Sequence, residues 1–267
     1  MKKIFVTGAS SGIGLAIAEA LVARDYEVWG TSRDSARLPK LAHFNPVQLD
    51  LSDHDSIENA FNTALAEAGH FDVLINNAGS GHFGPAENVP SEAVSRQFDI
   101  LVFGHLHLAQ LALKAMHARG SGLVINITSL AARLPLPFMA PYNAAKAAMA
   151  AFTLTLQLEL SNPRVRIVDL QPADIHTPFN ESVRKTGEDD PRYAARAAQT
   201  WQVIERNMTG APEPNLVARH VVQLIETTNP PPLITVGGFF QARIAPLIFR
   251  FLPQRLQIWG LKKYYGI

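Results

Sequence analysis

Residues 3–14 read KIFVTGASSGIG. A short β-branched and aromatic run breaks at Gly8, two further glycines follow at Gly12 and Gly14, and an apolar pattern of helical period begins at residue 13. A strand that turns sharply into a helix uses glycine for the tight turn, for close approach of backbone to a bound diphosphate and for close helix packing, while the helix N-terminus favours the anion. The position between a first strand and a first helix makes this stretch a candidate nucleotide-binding turn.

The same alternation continues along the chain. The runs KIFVTG, YEVWGTS, PVQLD, DVLINNAG, GLVINITS, VRIVDLQP and LITVGG each have strand length, and most are apolar on consecutive residues, the pattern of strands buried on both faces. Helical patterns fall between them at 13–24, 53–69, about 91–119, 142–160 and 214–227. This alternation predicts an α/β fold: about seven parallel strands with helices on both faces of the sheet. We read one domain over 1–267, with an excursion from the sheet over 178–210 and an amphipathic extension over 237–267.

Composition bounds the function. The chain has 267 residues, 47% hydrophobic and 18% charged, enough to bury a sizeable core. A net charge of +1 makes no general case for nucleic acid. With no cysteine, disulfides, thiolate chemistry and cysteine-ligated metals are excluded. The apolar run at the N-terminus is too short for a secretory signal and no uninterrupted apolar stretch has membrane-span length, so a cytoplasmic protein is expected.

In an open parallel sheet the ligand sits beyond the carboxyl ends of the strands. The second run ends in GTSRD, with Ser32 and Arg33 where an NAD site of this type places an acid. An arginine and a hydroxyl suit a 2′-phosphate, which favours NADP(H) with NAD(H) as the alternative; Asp34 is expected to cap the following helix. The segment APYNAAKAAM (140–149) places Tyr142 and Lys146 four apart, on one helical face.

Taken in order, these motifs resemble the short-chain dehydrogenases/reductases from residue 3 to about 236. The resemblance implies a Rossmann-like sheet and assigns Gly8, Ser10, Ser11, Gly12, Ile13 and Gly14 to the cofactor loop, Ser32 and Arg33 to the adenosine end, and Asp50 and Leu51 to an adenine contact. It assigns Asn77, Ala78 and Gly79 of NNAG to the cofactor wall, and Pro172, Ile175 and Thr177 to the nicotinamide end. Ser129, Tyr142 and Lys146 match the catalytic trio, with Tyr142 and Lys146 also meeting the cofactor. Reduction of a ketone needs a hydride at carbon and a proton at oxygen, and oxidation reverses both. A free tyrosine, pKa about 10, is a poor base near neutrality; a neighbouring ammonium and an oxidised nicotinamide stabilise its phenolate. Tyr142 is therefore expected as acid/base, Lys146 as its electrostatic tuner and ribose contact, and Ser129 as the group that polarises the substrate oxygen.

Two positions depart from the family pattern. Leu101, in FDILVFG, stands where the family usually has an asparagine whose side chain stabilises a helix distortion and whose carbonyl holds a water of the proton relay. Relay of altered efficiency is expected, without loss of catalysis. Ala173 replaces the usual glycine after Pro172.

His105 and His107, two apart, point away from each other on a helix, so no metal is expected. His82 and His176 lie near the cleft as substrate contacts or as satisfied loop histidines. The segments 80–90, 129–141 and 178–210 are expected around the substrate; the first two are mainly apolar, and GPAENVP and FDILVFG resemble the steroid, retinol and acyl-chain reductase branch. A small hydrophobic carbonyl or alcohol is therefore the expected substrate, and a homodimer or homotetramer the expected assembly by analogy.

In the tail, Ile244, Leu247, Ile248, Phe251 and Leu252 share a helical face, and all five charged residues are basic. Packing on its own domain or a second subunit, a lid over the cleft, and peripheral contact with a membrane are its three readings. Pro246 and Pro253 confine any helix there to short pieces. The alternative function class is a catalytically weak NADP(H)-binding regulatory protein on the same fold; Leu101 favours it, and the intact Ser129, Tyr142 and Lys146 oppose it.

Overall fold

The computed structural model describes residues 1–267. In chain order the elements are β1 (Lys3–Val6), α1 (Gly12–Val22), β2 (Glu27–Ser32), β3 (Phe44–Gln48), α2 (His54–Ala68), β4 (Val73–Asn76), β5 (His82–Phe83), α3 (Ser91–Phe98), α4 (His105–Arg119), β6 (Gly122–Ile127), α5 (Ala140–Glu159), β7 (Val165–Pro172), β8 (Arg184–Lys185), α6 (Ala194–Thr209), α7 (Asn215–Glu226), β9 (Leu233–Val236), α8 (Ala245–Phe251) and α9 (Gln254–Tyr265). Seven strands form one sheet in the order β3-β2-β1-β4-β6-β7-β9, every pair parallel. Strand order reverses at β1, so the crevice beyond β1 and β4 is the topological switch point where such sheets bind ligands.

Alternate strand residues feed two cores. Ile4, Val6, Val28 and Ile75 pack against Ile17 and Leu21 of α1 and Val217 and Val221 of α7. Phe5, Trp29 and Leu74 pack on the other face against Phe61 of α2 and Leu108 and Met116 of α4. Burial on both faces explains why the strand runs are continuously apolar rather than alternating. Each burial of a large side chain contributes about 1.5–3 kcal/mol against the entropy of ordering the chain.

The helical pattern expected over about 91–119 is not one regular helix. It is α3, a π-helical stretch over Asp99–Gly104 centred near Leu101, and then α4. The widened turn lets Gly104 approach the Leu51 carbonyl so closely that a Cβ there would lie 2.2 Å from its oxygen. The helix distortion therefore forms without the asparagine amide.

The segment after β7 contains α6 and a two-stranded parallel pairing of β5 with β8, which ties Phe83 to Lys185. Neither was legible as an element in the chain pattern. In the tail Pro246 sits in the first turn of α8 and Pro253 at the N-cap of α9, the positions proline tolerates. No helix is long and apolar enough to cross a membrane.

Candidate active site

The glycine turn is a cradle that side chains would fill. Gly8 has φ +69°, and a Cβ on it would meet Ala78 Cα at 2.8 Å. A Cβ on Gly14 would lie 2.0 Å from the Gly8 carbonyl oxygen and 2.4 Å from Asn77 Nδ2. Ser11 is the N-cap of α1, yet its side chain makes no capping bond and the first turn holds no acid, which leaves the amides of residues 12–14 facing outward for an anion. Ser10 and Ile13 complete this turn.

The wall opposite is built by Thr7. Its hydroxyl oxygen accepts hydrogen bonds from the Asn77 and Ala78 N–H groups at 2.8 and 3.0 Å, while Asn77 Nδ2 donates to the Thr7 and Gly8 carbonyls at 2.9 and 3.2 Å. Gly79 lies next to Leu101, whose side chain is fully buried among Val102 and Ala145. NNAG is thus stapled to the end of β1, and Asn76 donates across to Asn126 Oδ1 at 2.9 Å.

At the end of β2, Arg33 is exposed and Ser32 is partly exposed. Asp34 accepts a hydrogen bond from Ala36 N–H at 3.0 Å, as the cap of a short 3-10 turn. Asp50 is influenced most by burial, which raises its pKa. Hydrogen bonds from Ser52 and the charges of Arg33 and Arg96 outweigh this and hold the carboxyl below its ordinary value. Leu51 is buried beneath it.

On the far side of the cleft, Ser129 follows β6 and Tyr142 and Lys146 lie on α5. The Ser129 hydroxyl accepts a hydrogen bond from Ala131 N–H at 3.0 Å and lies close enough to the Tyr142 phenol to lower its pKa. Lys146 is buried; its Nζ donates to the Ile127 carbonyl at 2.8 Å and lies 5.9 Å from the Tyr142 ring centre. Burial lowers the Lys146 pKa to about 8, partly opposed by Asp169. The Tyr142 pKa differs from the expectation. Burial raises it, the neighbouring Ser129 hydroxyl lowers it, and the Asp174 charge raises it, with a net upward shift in the protein alone. Lys146 directs one N–H of its ammonium to the Ile127 carbonyl, and burial is the largest influence on the Tyr142 phenol.

Pro172 ends β7 and Ile175 is buried behind it. Ala173 donates its N–H to the Val236 carbonyl at 2.8 Å, and its methyl faces Gly237, where a Cβ would come within 2.6 Å. The space that alanine takes at 173 is thus supplied by glycine at 237. Thr177 approaches Gly12, and a cavity of about 470 Å³ lined by Gly12, His176 and Thr177 opens between them.

Of the other histidines, His82 is buried and bonded to Thr186 Oγ1 at 3.0 Å, a satisfied histidine. His176 is exposed and pairs with Glu213 at 3.0 Å. His107 meets His54 edge to face, ring centres 4.7 Å apart, while His105 is buried with its Nε2 3.4 Å from Thr7 Oγ1. The His105 ring also bonds the Leu101 carbonyl, and burial with the Lys146 charge lowers its pKa to about 3. A neutral imidazole therefore links the π-helical turn to Thr7 and the NNAG wall, a role the pattern of two histidines did not reveal.

Asp169 was missed as well. It is buried in β7, accepts hydrogen bonds from Thr128 and, at 2.7 Å, Gln171, and is raised in pKa by burial. Its signal was an acid in the middle of an otherwise apolar strand run, VRIVDLQP. Around Tyr142 the walls are apolar: Phe83, Met139, Phe179, Trp201 and the tail residues Leu261 and Tyr265 form one cluster. Phe179 lies 5.7 Å from the Tyr142 ring.

A family model described as short chain dehydrogenase matches residues 2–188. A 3-ketodihydrosphingosine reductase of Bacteroides thetaiotaomicron is 28% identical over 99% of this chain and 98% of that protein. Among solved structures, a short-chain dehydrogenase from Streptomyces avermitilis superposes with TM-score 0.82 at 29% identity, covering 99% of this chain and 96% of that one. An alcohol dehydrogenase from Thermococcus sibiricus complexed with 5-hydroxy-NADP superposes with TM-score 0.73 at 26% identity, covering 89% and 96%. A parallel Rossmann-like sheet, a glycine cradle at its switch point, and a family match over most of the chain identify this protein as a member of the short-chain dehydrogenase/reductase family, an NAD(P)-dependent oxidoreductase acting on CH–OH and carbonyl groups.

Proposed function

We propose that the protein is an NADP(H)-dependent reductase that interconverts a small hydrophobic ketone or aldehyde and its alcohol. The observation that carries this reading is the placement of Ser129 and of Lys146, its Nζ 5.9 Å from the Tyr142 ring centre, beside Tyr142 at the edge of an aromatic and aliphatic lobe. The relative described as a 3-ketodihydrosphingosine reductase, aligned over nearly the whole chain, supports a ketone substrate.

The glycine cradle of Gly8 to Gly14, the wall of Asn77 to Gly79, Asp50 with Leu51, and the Pro172, Ile175 and Thr177 segment would hold the dinucleotide. Bound nicotinamide supplies or accepts the hydride at the carbinol carbon. Ser129 donates a hydrogen bond to the substrate oxygen and fixes its distance from Tyr142. In reduction Tyr142 gives its proton to that oxygen as the carbon gains hydride; in oxidation it takes the proton back. Lys146 holds the positive charge that stabilises the phenolate left behind.

Arg33 supports NADP(H): it is exposed, and the one acid beside it in sequence, Asp34, is occupied as a cap. Association through α4 and α5 as a homodimer or homotetramer fits the exposed Phe152, Leu154 and Leu158 on α5 and Phe103 in the π-helical turn just before α4. A cytoplasmic setting belongs to the same proposal.

The test is NADPH and NADH consumption over a panel of apolar ketones and aldehydes beside sugars and polyols. Turnover of apolar carbonyls with NADPH is expected, and Arg33→Ala should raise the KM for NADPH roughly 10- to 100-fold, the loss of one charge-assisted contact, with little change for NADH. Intact NADPH binding with no turnover of any carbonyl would favour the regulatory protein instead.

A further inference from the structure

We propose that residues 239–263 dock the protein on the surface of an anionic phospholipid bilayer. Nine of the sixteen exposed large apolar side chains lie between Phe239 and Tyr264, with Phe251 75% and Trp259 61% exposed. Arg243, Arg250, Arg255, Lys262 and Lys263 are interspersed with them, all exposed and none in an ion pair. The segment 237–267 contains no acid.

The surface is held in place. Gln257 Nε2 donates to the Phe249 and Leu252 carbonyls, both at 2.8 Å, and so fixes the corner between α8 and α9. Asn207 of α6 donates to the Tyr264 hydroxyl at 2.8 Å, and Leu261 and Tyr265 pack inward on the lobe around Tyr142. The opposite face of α9 is left uncovered, and α8 buries no residue. Cations also lie over the rings of this surface: Arg250 is 5.8 Å from the centre of Phe251 and Lys263 is 5.2 Å from that of Trp259.

Charge decides the occupant. A second copy related by a two-fold axis would set the same basic residues against each other with no acid in the segment to pair them. An anionic bilayer satisfies both halves of the surface: headgroups take the cations, and the acyl boundary takes the Phe, Leu, Ile and Trp side chains of short helices lying flat. The inner face of α9 lines the lobe beside Tyr142, so docking would bring that lobe next to a reservoir of apolar substrate. This last consequence rests on the hydrophobic-carbonyl reading; the docking does not.

The experiment is sedimentation of the full-length protein with extruded vesicles of phosphatidylcholine alone or with a quarter phosphatidylglycerol, with tryptophan emission and NADPH titration in parallel. Binding to the anionic vesicles, a fall with added salt and a blue shift absent from Trp259→Phe are expected. Lys262→Glu with Lys263→Glu should weaken binding by roughly 30-fold or more, about fivefold per cation removed, with the NADPH titration unchanged. Equal affinity for both vesicle types, no binding at low salt, or a salt-resistant dimer that hides Trp259 from vesicles would overturn the proposal. Failure of docking with turnover intact leaves the reductase reading standing, and docking without turnover does the reverse.

Discussion

Lys146 carries a cost that can be measured without any substrate. Burial lowers its pKa from 10.5 to about 8, so between those values the unfolded chain binds the proton more tightly than the folded one. At 1.36 kcal/mol per pH unit, keeping Lys146 charged at neutral pH costs about 3 kcal/mol of folding stability. Lys146→Met removes that cost but strips the Ile127 carbonyl of its partner, a loss of roughly 1–3 kcal/mol. The two nearly cancel near pH 7.5, where the variant should be at least as stable as the wild type although catalytically crippled. The pH dependence separates them. A group whose folded pKa is depressed makes stability rise with pH through the window between its two values, so wild type should gain about 2 kcal/mol on the variant between pH 7.5 and 10. Urea unfolding of both proteins without cofactor across that range is the assay. A difference between them that stays constant over the range would refute the claim that Lys146 is a charged, desolvated group.

Two further predictions concern the cofactor side. Gly14→Ala puts a Cβ 2.0 Å from the Gly8 carbonyl oxygen, so the turn must open; NADPH binding should fall by at least tenfold, read by fluorescence titration, and unaltered affinity would remove Gly14 from the cradle. His105→Leu frees the Leu101 carbonyl and one partner of Thr7, and should cost about 1–3 kcal/mol in urea unfolding. Because the His105 pKa is depressed to about 3, its contribution is lost as pH falls from about 6.5, so wild type and variant should converge in stability towards pH 4.

The sheet was readable because strands buried on both faces leave continuous apolar runs, and every predicted run from KIFVTG to LITVGG became a strand of the one sheet. Gly8 and Gly14 were readable because backbone approaches backbone there, a demand only glycine meets. The π-helical turn was not, since a 3.6-residue pattern continues through it and the Leu51 carbonyl that Gly104 approaches is far away in sequence. His105 and Asp169 were hidden for a related reason: their partners, Thr7 and Thr128, lie just past the ends of β1 and β6, far away in sequence. The raised Tyr142 pKa needs burial and Asp174, neither visible in the Tyr142 to Lys146 spacing. Helix α6 escaped because its charged, proline-marked approach reads as loop.

The most direct test of the account is Tyr142→Phe, which keeps the ring against Phe179 and removes only the phenolic hydroxyl. With NADPH and the best apolar carbonyl of the panel, kcat should fall by roughly 10²- to 10⁴-fold, the contribution of a positioned acid/base, while the NADPH dissociation constant stays within about twofold of wild type. A Tyr142→Phe protein that reduces the carbonyl at the wild-type rate would contradict the account.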